Sequence, residues 1–289
     1  MRLLRPAAVA ALWLLLGSIV SAPPVLRPAL WLARDGDSAV WLFGTVHELP
    51  RGTAWLDPAV AKALADSDTL VLELVAPTPA ETAAALAASA PPPGTPPLPD
   101  RLPPGEGDRL HAAAAALGYP ATAFDRGDAW AAATALSIEP LRAAGYARDD
   151  APEALLARIA TRRGMRVVGL ETQGAQVAML AALAPATQAS MLKRALDHPA
   201  RIVPDMARTV AAWGRGDVAA IGDAVTDGLP GDARAILLDR RNDRWATRIA
   251  GWMATPGTRF VAVGAGHLTG SGSVQTRLQA QGVPVVRVR

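Results

Sequence analysis

Two short stretches, more than two hundred residues apart, read as copies of one device. Ala39-Val40-Trp41-Leu42-Phe43 runs into Gly44-Thr45-Val46-His47, and Arg259-Phe260-Val261-Ala262-Val263 runs into Gly264-Ala265-Gly266-His267. Each is an apolar run of strand type followed by Gly, two small or β-branched residues and His. The 289-residue chain has only four histidines, and two of them occupy this one place. A fold must therefore end two separate strands in an imidazole. In open α/β sheets, ligand sites lie outside the carboxyl ends of the strands. Gly44, Gly264 and Gly266 are expected to let the chain turn sharply there, because glycine reaches backbone angles other residues do not.

The rest of the chain supplies a sheet for these strands. Arg34-Asp35-Gly36-Asp37-Ser38 separates Ala29–Ala33 from Ala39–Phe43, an Asp-Gly hairpin signal. Asp57-Pro58 opens a helix to about Asp66, with Asp57 as N-cap. Thr69–Val75 is a continuous apolar run, as expected of a strand buried on both faces, and Glu73 interrupts it near its end. A second acid, Glu171, follows the short strand Met165–Leu170 and is expected in the loop after it.

Between these strands the pattern is helical. An Ala-rich helix covers 80–90, and the eight prolines of 91–104 predict an extended surface loop. Further helices run from about 105 to 163, punctuated by Pro140 among others. The last of them starts at Asp150-Ala151-Pro152-Glu153, where Glu153 reads as a capping acid. Four helices at 173–184, 186–197, 203–213 and 216–228 precede a long one, Asp232–Met253. Ile236, Leu237, Trp245, Ile249 and Trp252 stripe one side of that helix, with a single long gap between 237 and 245. A helix at 273–280 and a closing strand at 285–288 end the chain. Strands separated by helices predict an α/β fold: a central mixed β-sheet, flanking helices and a large helical insertion at about 80–160, all in one domain over 23–289.

Composition excludes several functions. The chain has no cysteine, so disulfides, thiolate metal sites, a cysteine nucleophile and a lipoprotein anchor are ruled out. The net charge is only +3, and no basic run is interleaved with aromatics, which argues against nucleic-acid binding. The Gly-x-Ser-x-Gly, P-loop, dinucleotide and His-Glu-x-x-His patterns are absent. Residues 1–22 read as a signal peptide or N-terminal anchor: Arg2 and Arg5, then an apolar Ala7–Leu16, then Val20-Ser21-Ala22. The protein is therefore expected to be exported, periplasmic or secreted, and to meet a membrane only through an uncleaved leader.

His47, Glu73, Glu171 and His267 form the candidate site. Two imidazoles and one or two carboxylates suit a divalent metal, and an open position on such an ion would lower the pKa of a bound water. Glu73 sits where a carboxylate is expensive unless paired or metal-bound. Arg241, within Asp239-Arg240-Arg241-Asn242-Asp243-Arg244, either faces solvent or reaches the site to pair with Glu73, Glu171 or an anion. His111 and His198 read as surface residues.

Leu42-Phe43-Gly44-Thr45-Val46-His47, Leu72-Glu73-Leu74, Gly169-Leu170-Glu171-Thr172, Arg241-Asn242 and Val263-Gly264-Ala265-Gly266-His267-Leu268-Thr269-Gly270, in that order, resemble the TraB/GumN family. The resemblance implies membership of a wider group that includes the Tiki metalloproteases and the erythromycin-esterase/ChaN-like proteins, with an α/β fold and paired Gly-x-x-His motifs. It implies a Mn- or Co-dependent peptidase in which His47 and His267 match the motif histidines, Glu73 the acid and Arg241 a family arginine. GumN-type relatives are associated with exopolysaccharide gene clusters and TraB-type relatives with plasmid pheromone control.

Three functions follow as expectations. The first is a metal-dependent hydrolase of peptides. His47, Glu73 and His267 hold Mn, Co or Zn, Glu171 or Glu73 activates water, and Arg241 stabilises the oxyanion. The second is a metal-independent, esterase-like hydrolase with His47 as base, oriented by Glu73. The third is a binding or regulatory protein.

Overall fold

The computed structural model describes residues 26–229 and 231–289; the expected leader lies outside them. Eight strands are present there: β1 Leu30–Asp35, β2 Ser38–Thr45, β3 Leu49–Pro50, β4 Thr69–Leu74, β5 Tyr146–Ala147, β6 Arg166–Glu171, β7 Gly257–Gly264 and β8 Val285–Arg287. Six of them form one mixed sheet in the order β6-β4-β7-β2-β1-β8. β6, β4, β7 and β2 are mutually parallel, while β1 runs antiparallel to both β2 and β8. The Asp-Gly hairpin forms as expected, with Gly36 at φ 52° in its turn.

The two Gly-x-x-His strands are direct neighbours. β2 and β7 pair in parallel with Gly44 opposite Val263 and Thr45 opposite Gly264. The motif ends therefore emerge side by side from the carboxyl edge of the sheet. β4 lies beyond β7 and β6 beyond β4, so Glu171, Glu73, His267 and His47 leave the same edge in that spatial order.

Alternation along the strands gives the sheet two apolar faces. Leu70 and Leu72 of β4, Phe260 and Ala262 of β7 and Phe43 of β2 pack on one side with Trp55, Leu156 and Trp213. Val71, Val261, Val263, Val40 and Leu42 pack on the other with Trp245, Ile249 and Leu278. Helices cover both faces, as parallel strands require. Glu73 has the parity of Val71, so it points to the face covered by the helix Arg240–Met253. Among the described residues no single helix is long and apolar enough to cross a membrane.

Several local expectations change. Pro140 lies inside the helix Ala129–Ala143 instead of ending it. It removes one backbone donor close to the helix end, while Leu136 and Leu141 on either side are buried. The proline-rich loop contains a 3₁₀ turn, Leu98–Arg101, and Leu98 is buried against Leu110, Ala129 and Leu136, so the segment is anchored to the helices below it. Glu171 is the last residue of β6, and Thr172 caps the next helix by accepting from the Ala175 N–H at 3.2 Å. The long helix is interrupted: Gly231–Arg234 leads into a π-turn, Ala235–Asp239, before Arg240–Met253. The small β3–β5 ladder, Leu49 opposite Ala147 and Pro50 opposite Tyr146, brings the start of the helix Pro152–Arg162 beside the first Gly-x-x-His.

Candidate functional site

The first motif is built from its backbone outward. Trp213, buried among Phe43 and Trp55, donates its indole N–H to the Gly44 carbonyl at 2.7 Å and holds the end of β2 in place. A Cβ on Gly44 would come within 3.1 Å of Ala265, so glycine is what lets the two motif turns lie against each other. Beyond the turn, His47 Nδ1 lies 2.6 Å from Glu153 Oε1, which also accepts from Thr45 Oγ1 at 2.7 Å. A carboxylate only accepts, so Nδ1 carries the proton and Nε2 is the exchangeable nitrogen. No partner for Nε2 stands among the described residues.

The His47 side chain is 63% exposed, yet protein stands close enough around the ring to desolvate it. This desolvation pulls its pKa down. The charge and hydrogen bond of Glu153, with Glu73 farther off, outweigh that and lift it to about 9. Glu153 was expected to cap its helix. It instead turns to His47, and the N-cap, Ala151, makes no side-chain cap.

The second motif faces inward. His267 sits in the 3₁₀ turn Ala265–Leu268, is 4% exposed and packs its ring 4.3 Å from that of Trp245. Asn242 donates through Nδ2 to the Gly272 carbonyl at 2.8 Å, which turns its Oδ1 to accept from His267 Nδ1 at 2.6 Å. Arg241 Nη1 approaches Nε2 at 3.1 Å, and a guanidinium only donates, so Nε2 is bare. Burial is the leading cause that drives the His267 pKa down, to about 3, against the pull of Glu73. This imidazole is neutral at pH 7.

Arg241 ties three of the sequence-predicted residues together: Glu73, Glu171 and His267. It is buried, reaching the site from the turn after the π-segment, and its guanidinium stands 4.6 Å from the Trp245 ring centre. Nε donates to Glu171 at 3.0 Å, and Nη1 donates to the Leu237 carbonyl at 2.9 Å as well as to His267. Nη2 donates to Glu171 at 2.8 Å and to Glu73. All five N–H groups of the side chain are thereby used. Glu73 also accepts from Gln176 Nε2 at 3.0 Å and from the Gly264 N–H at 3.2 Å. Burial alone would raise the Glu73 pKa; the positive charge facing it, from His267 when protonated and from Arg241 and His47, holds it at about 2. Arg244, exposed at the rim, reaches Glu171 at 3.3 Å.

His47, Glu73, Glu171, Arg241 and His267 thus converge. Three participants were not expected from sequence: Glu153, Gln176 and the carbonyl of Leu237. Gly264 is where the two halves touch. A Cβ there would lie 3.2 Å from His47 Nε2 and 3.4 Å from Glu73 Oε2. Gly266 is equally confined, with Val225 3.1 Å from the same construction. His111 is half-buried, its Nε2 2.9 Å from Asp125, and His198 is exposed.

The expected roles fare differently. With every Arg241 N–H engaged, none is left for a developing oxyanion. The acid that orients His47 is Glu153, not Glu73. The donor set for an ion does not fit as placed. His267 Nε2 lies 3.8 Å from Glu73 Oε2, but its lone pair already accepts from Arg241, and Arg241 covers both carboxylates. Among the described residues no group of three or more His, Asp or Glu stands ready to hold a metal.

No curated protein and no solved structure matches the chain. The family comparison is different: residues 29–287 match the TraB/PrgY/gumN family, and the chain belongs to it.

Proposed function

We propose that the protein is a hydrolase of peptide or ester bonds in which the Glu153–His47 pair moves the proton of the attacking water. The observation that carries this is the 2.6 Å contact between Glu153 and Nδ1 of a ring that is 63% exposed. A carboxylate on one imidazole nitrogen fixes the tautomer and leaves the other nitrogen to face substrate, which is the working geometry of acid–base dyads. Glu73, Arg241, Glu171 and His267 form a hydrogen-bonded cluster beside it, and Glu73 accepts from the N–H of Gly264, against which the ring stands. Water serves as nucleophile in this reading, because no cysteine exists and, among the described residues, no serine joins the cluster. The test is turnover of a panel of peptides and aryl esters by wild type and His47→Ala. Equal rates in the two proteins would overturn it.

A second reading, a metal-dependent peptidase, has one observation in its favour. Both imidazoles are anchored through Nδ1 to an oxygen, the arrangement that commonly backs a metal-bound histidine and leaves Nε2 for the ion. It requires Arg241 to release His267 and Glu73. Metal content of the purified protein against His47→Ala plus His267→Ala decides between the two: equal, negligible metal in both, with hydrolysis that survives chelation, removes the second reading.

A further inference from the structure

A cavity of about 370 Å³ opens where the helices Ala129–Ala143, Pro185–Asp197 and Ile202–Gly214 converge, and it shares no residue with the Gly-x-x-His site. Its walls follow from helical spacing. Met191, Arg194 and Ala195 recur at three- and four-residue intervals and so lie on one face of their helix, and His198 follows at its C-cap. Ala133 and Ala195 line it with short side chains, where longer ones would fill the space.

The lining has two chemical halves. Ile138, Met191 and Ile202 are half-buried apolar side chains turned to the cavity. His198 and Arg201 supply the donors, beside Arg194, which is engaged elsewhere. The two hydroxyls present give none: Thr134 Oγ1 donates to the Trp130 carbonyl and Ser137 Oγ to the Ala133 carbonyl, each at 2.8 Å, so only their lone pairs remain. The single acid, Asp205, is taken up by Arg208 and lies 3.8 Å from Arg201 Nε. A polar head placed here meets cations and an apolar wall. A neutral donor would find few acceptors, and an anion without a tail would leave the apolar half wet.

We infer that this cavity binds an anionic amphiphile, a carboxylate head on a short unbranched apolar chain, with the head at Arg201 and the chain against Ile138, Met191 and Ile202. A cavity of about 370 Å³ leaves room for a short chain on the order of ten carbons beside the head group.

Decanoate titrated into the full-length protein by calorimetry tests this. One saturable site is expected. Arg201→Glu should weaken it at least about tenfold by reversing the charge at the head, and Ile138→Asp at least about tenfold by making the wall polar. Decanol, which keeps the chain without the charge, and acetate, which keeps the charge without the chain, should each bind at least about tenfold more weakly than decanoate. Arg201 is exposed, so its variant retains the core, and it decides the matter with the decanol arm if Ile138→Asp does not fold. Absence of saturable binding overturns the inference, as does wild-type affinity in Arg201→Glu or equal binding of decanol. Capture of the protein by anionic phospholipid vesicles that excess decanoate does not displace also overturns it, because the basic rim then serves a membrane surface.

Discussion

His47 and His267 end the same string on adjacent parallel strands, yet they have become chemically opposite groups. His47 is exposed, carries an acid on Nδ1 and has its pKa raised to about 9. His267 is buried, carries an amide on Nδ1 and a guanidinium on Nε2, and has its pKa lowered to about 3. The strands set where the imidazoles stand. The helices that come over them set what they are: Pro152–Arg162 brings the acid to one, and Arg240–Met253 brings the amide and the cation to the other. A repeated motif in this fold is thus a repeated position, and its chemistry is assigned by unrelated parts of the chain.

The comparison can be broken most severely at Arg241. Arg241→Met leaves Glu73 and Glu171 as buried carboxylates without their shared cation, and breaking such a pair typically costs about 3–5 kcal/mol. Urea denaturation should show a loss of that order, and the His267 pKa should rise because a repelling charge has gone. A variant as stable as wild type would mean that the guanidinium is not the keystone described.

Glu153→Gln acts on the other histidine. The base form of His47 is needed to take a proton, so hydrolysis by wild type should rise with pH and level off above about 9. Removing the carboxylate charge should move that limb down toward the ordinary imidazole range. It should also lower the plateau rate by about a hundredfold, within the span acid–base groups contribute. The pH–rate profile separates this from simple misfolding, since an unfolded fraction lowers the plateau without moving the limb.

Asn242→Asp makes His267 resemble its twin by placing an acid on Nδ1. The ring-proton shift of His267 in a nuclear magnetic resonance titration should then report a pKa well above about 3. A pKa that stays put would show that burial and Arg241 alone hold it down. The mildest change is Gly264→Ala. Its methyl group meets His47 Nε2 at 3.2 Å, so the ring must give by a few tenths of an ångström. Turnover should fall several-fold, with a stability cost of about 1–3 kcal/mol, as overpacking usually has.

The layout was legible where a single strand carries the information. His47, Glu73, Glu171 and His267 each follow or end an apolar run, so their place at the carboxyl edge could be read before any helix was positioned. Arg241 was ambiguous in sequence, because a helical run of charges looks the same whether one member turns inward or all face water. Glu153 and Gln176 were not legible as site residues. Each sits in the first or second turn of an ordinary amphipathic helix, and only the approach of that helix, through the two-residue ladder β3–β5 for Glu153, delivers it. Ladders that short show no alternation to detect. The family resemblance supplied the order of the motifs, but it did not contain the acid that faces His47.

The π-turn at Ala235–Asp239 has a consequence for phase. An α-helix advances about 100° per residue, so one residue of slack rotates everything downstream relative to everything upstream by that amount. The long gap between Leu237 and Trp245 in the apolar stripe is filled at its midpoint by the buried Arg241, four residues from each. Upstream, Asp232 is aligned to meet Thr187; downstream, Arg241 and Trp245 are aligned to meet the sheet edge. The two alignments belong to different angular settings, and the wide turn works as a clutch between them. Deleting one residue there would engage the clutch, bringing the whole segment into a single register in which either the Thr187 contact or the Arg241 hub must be forfeited.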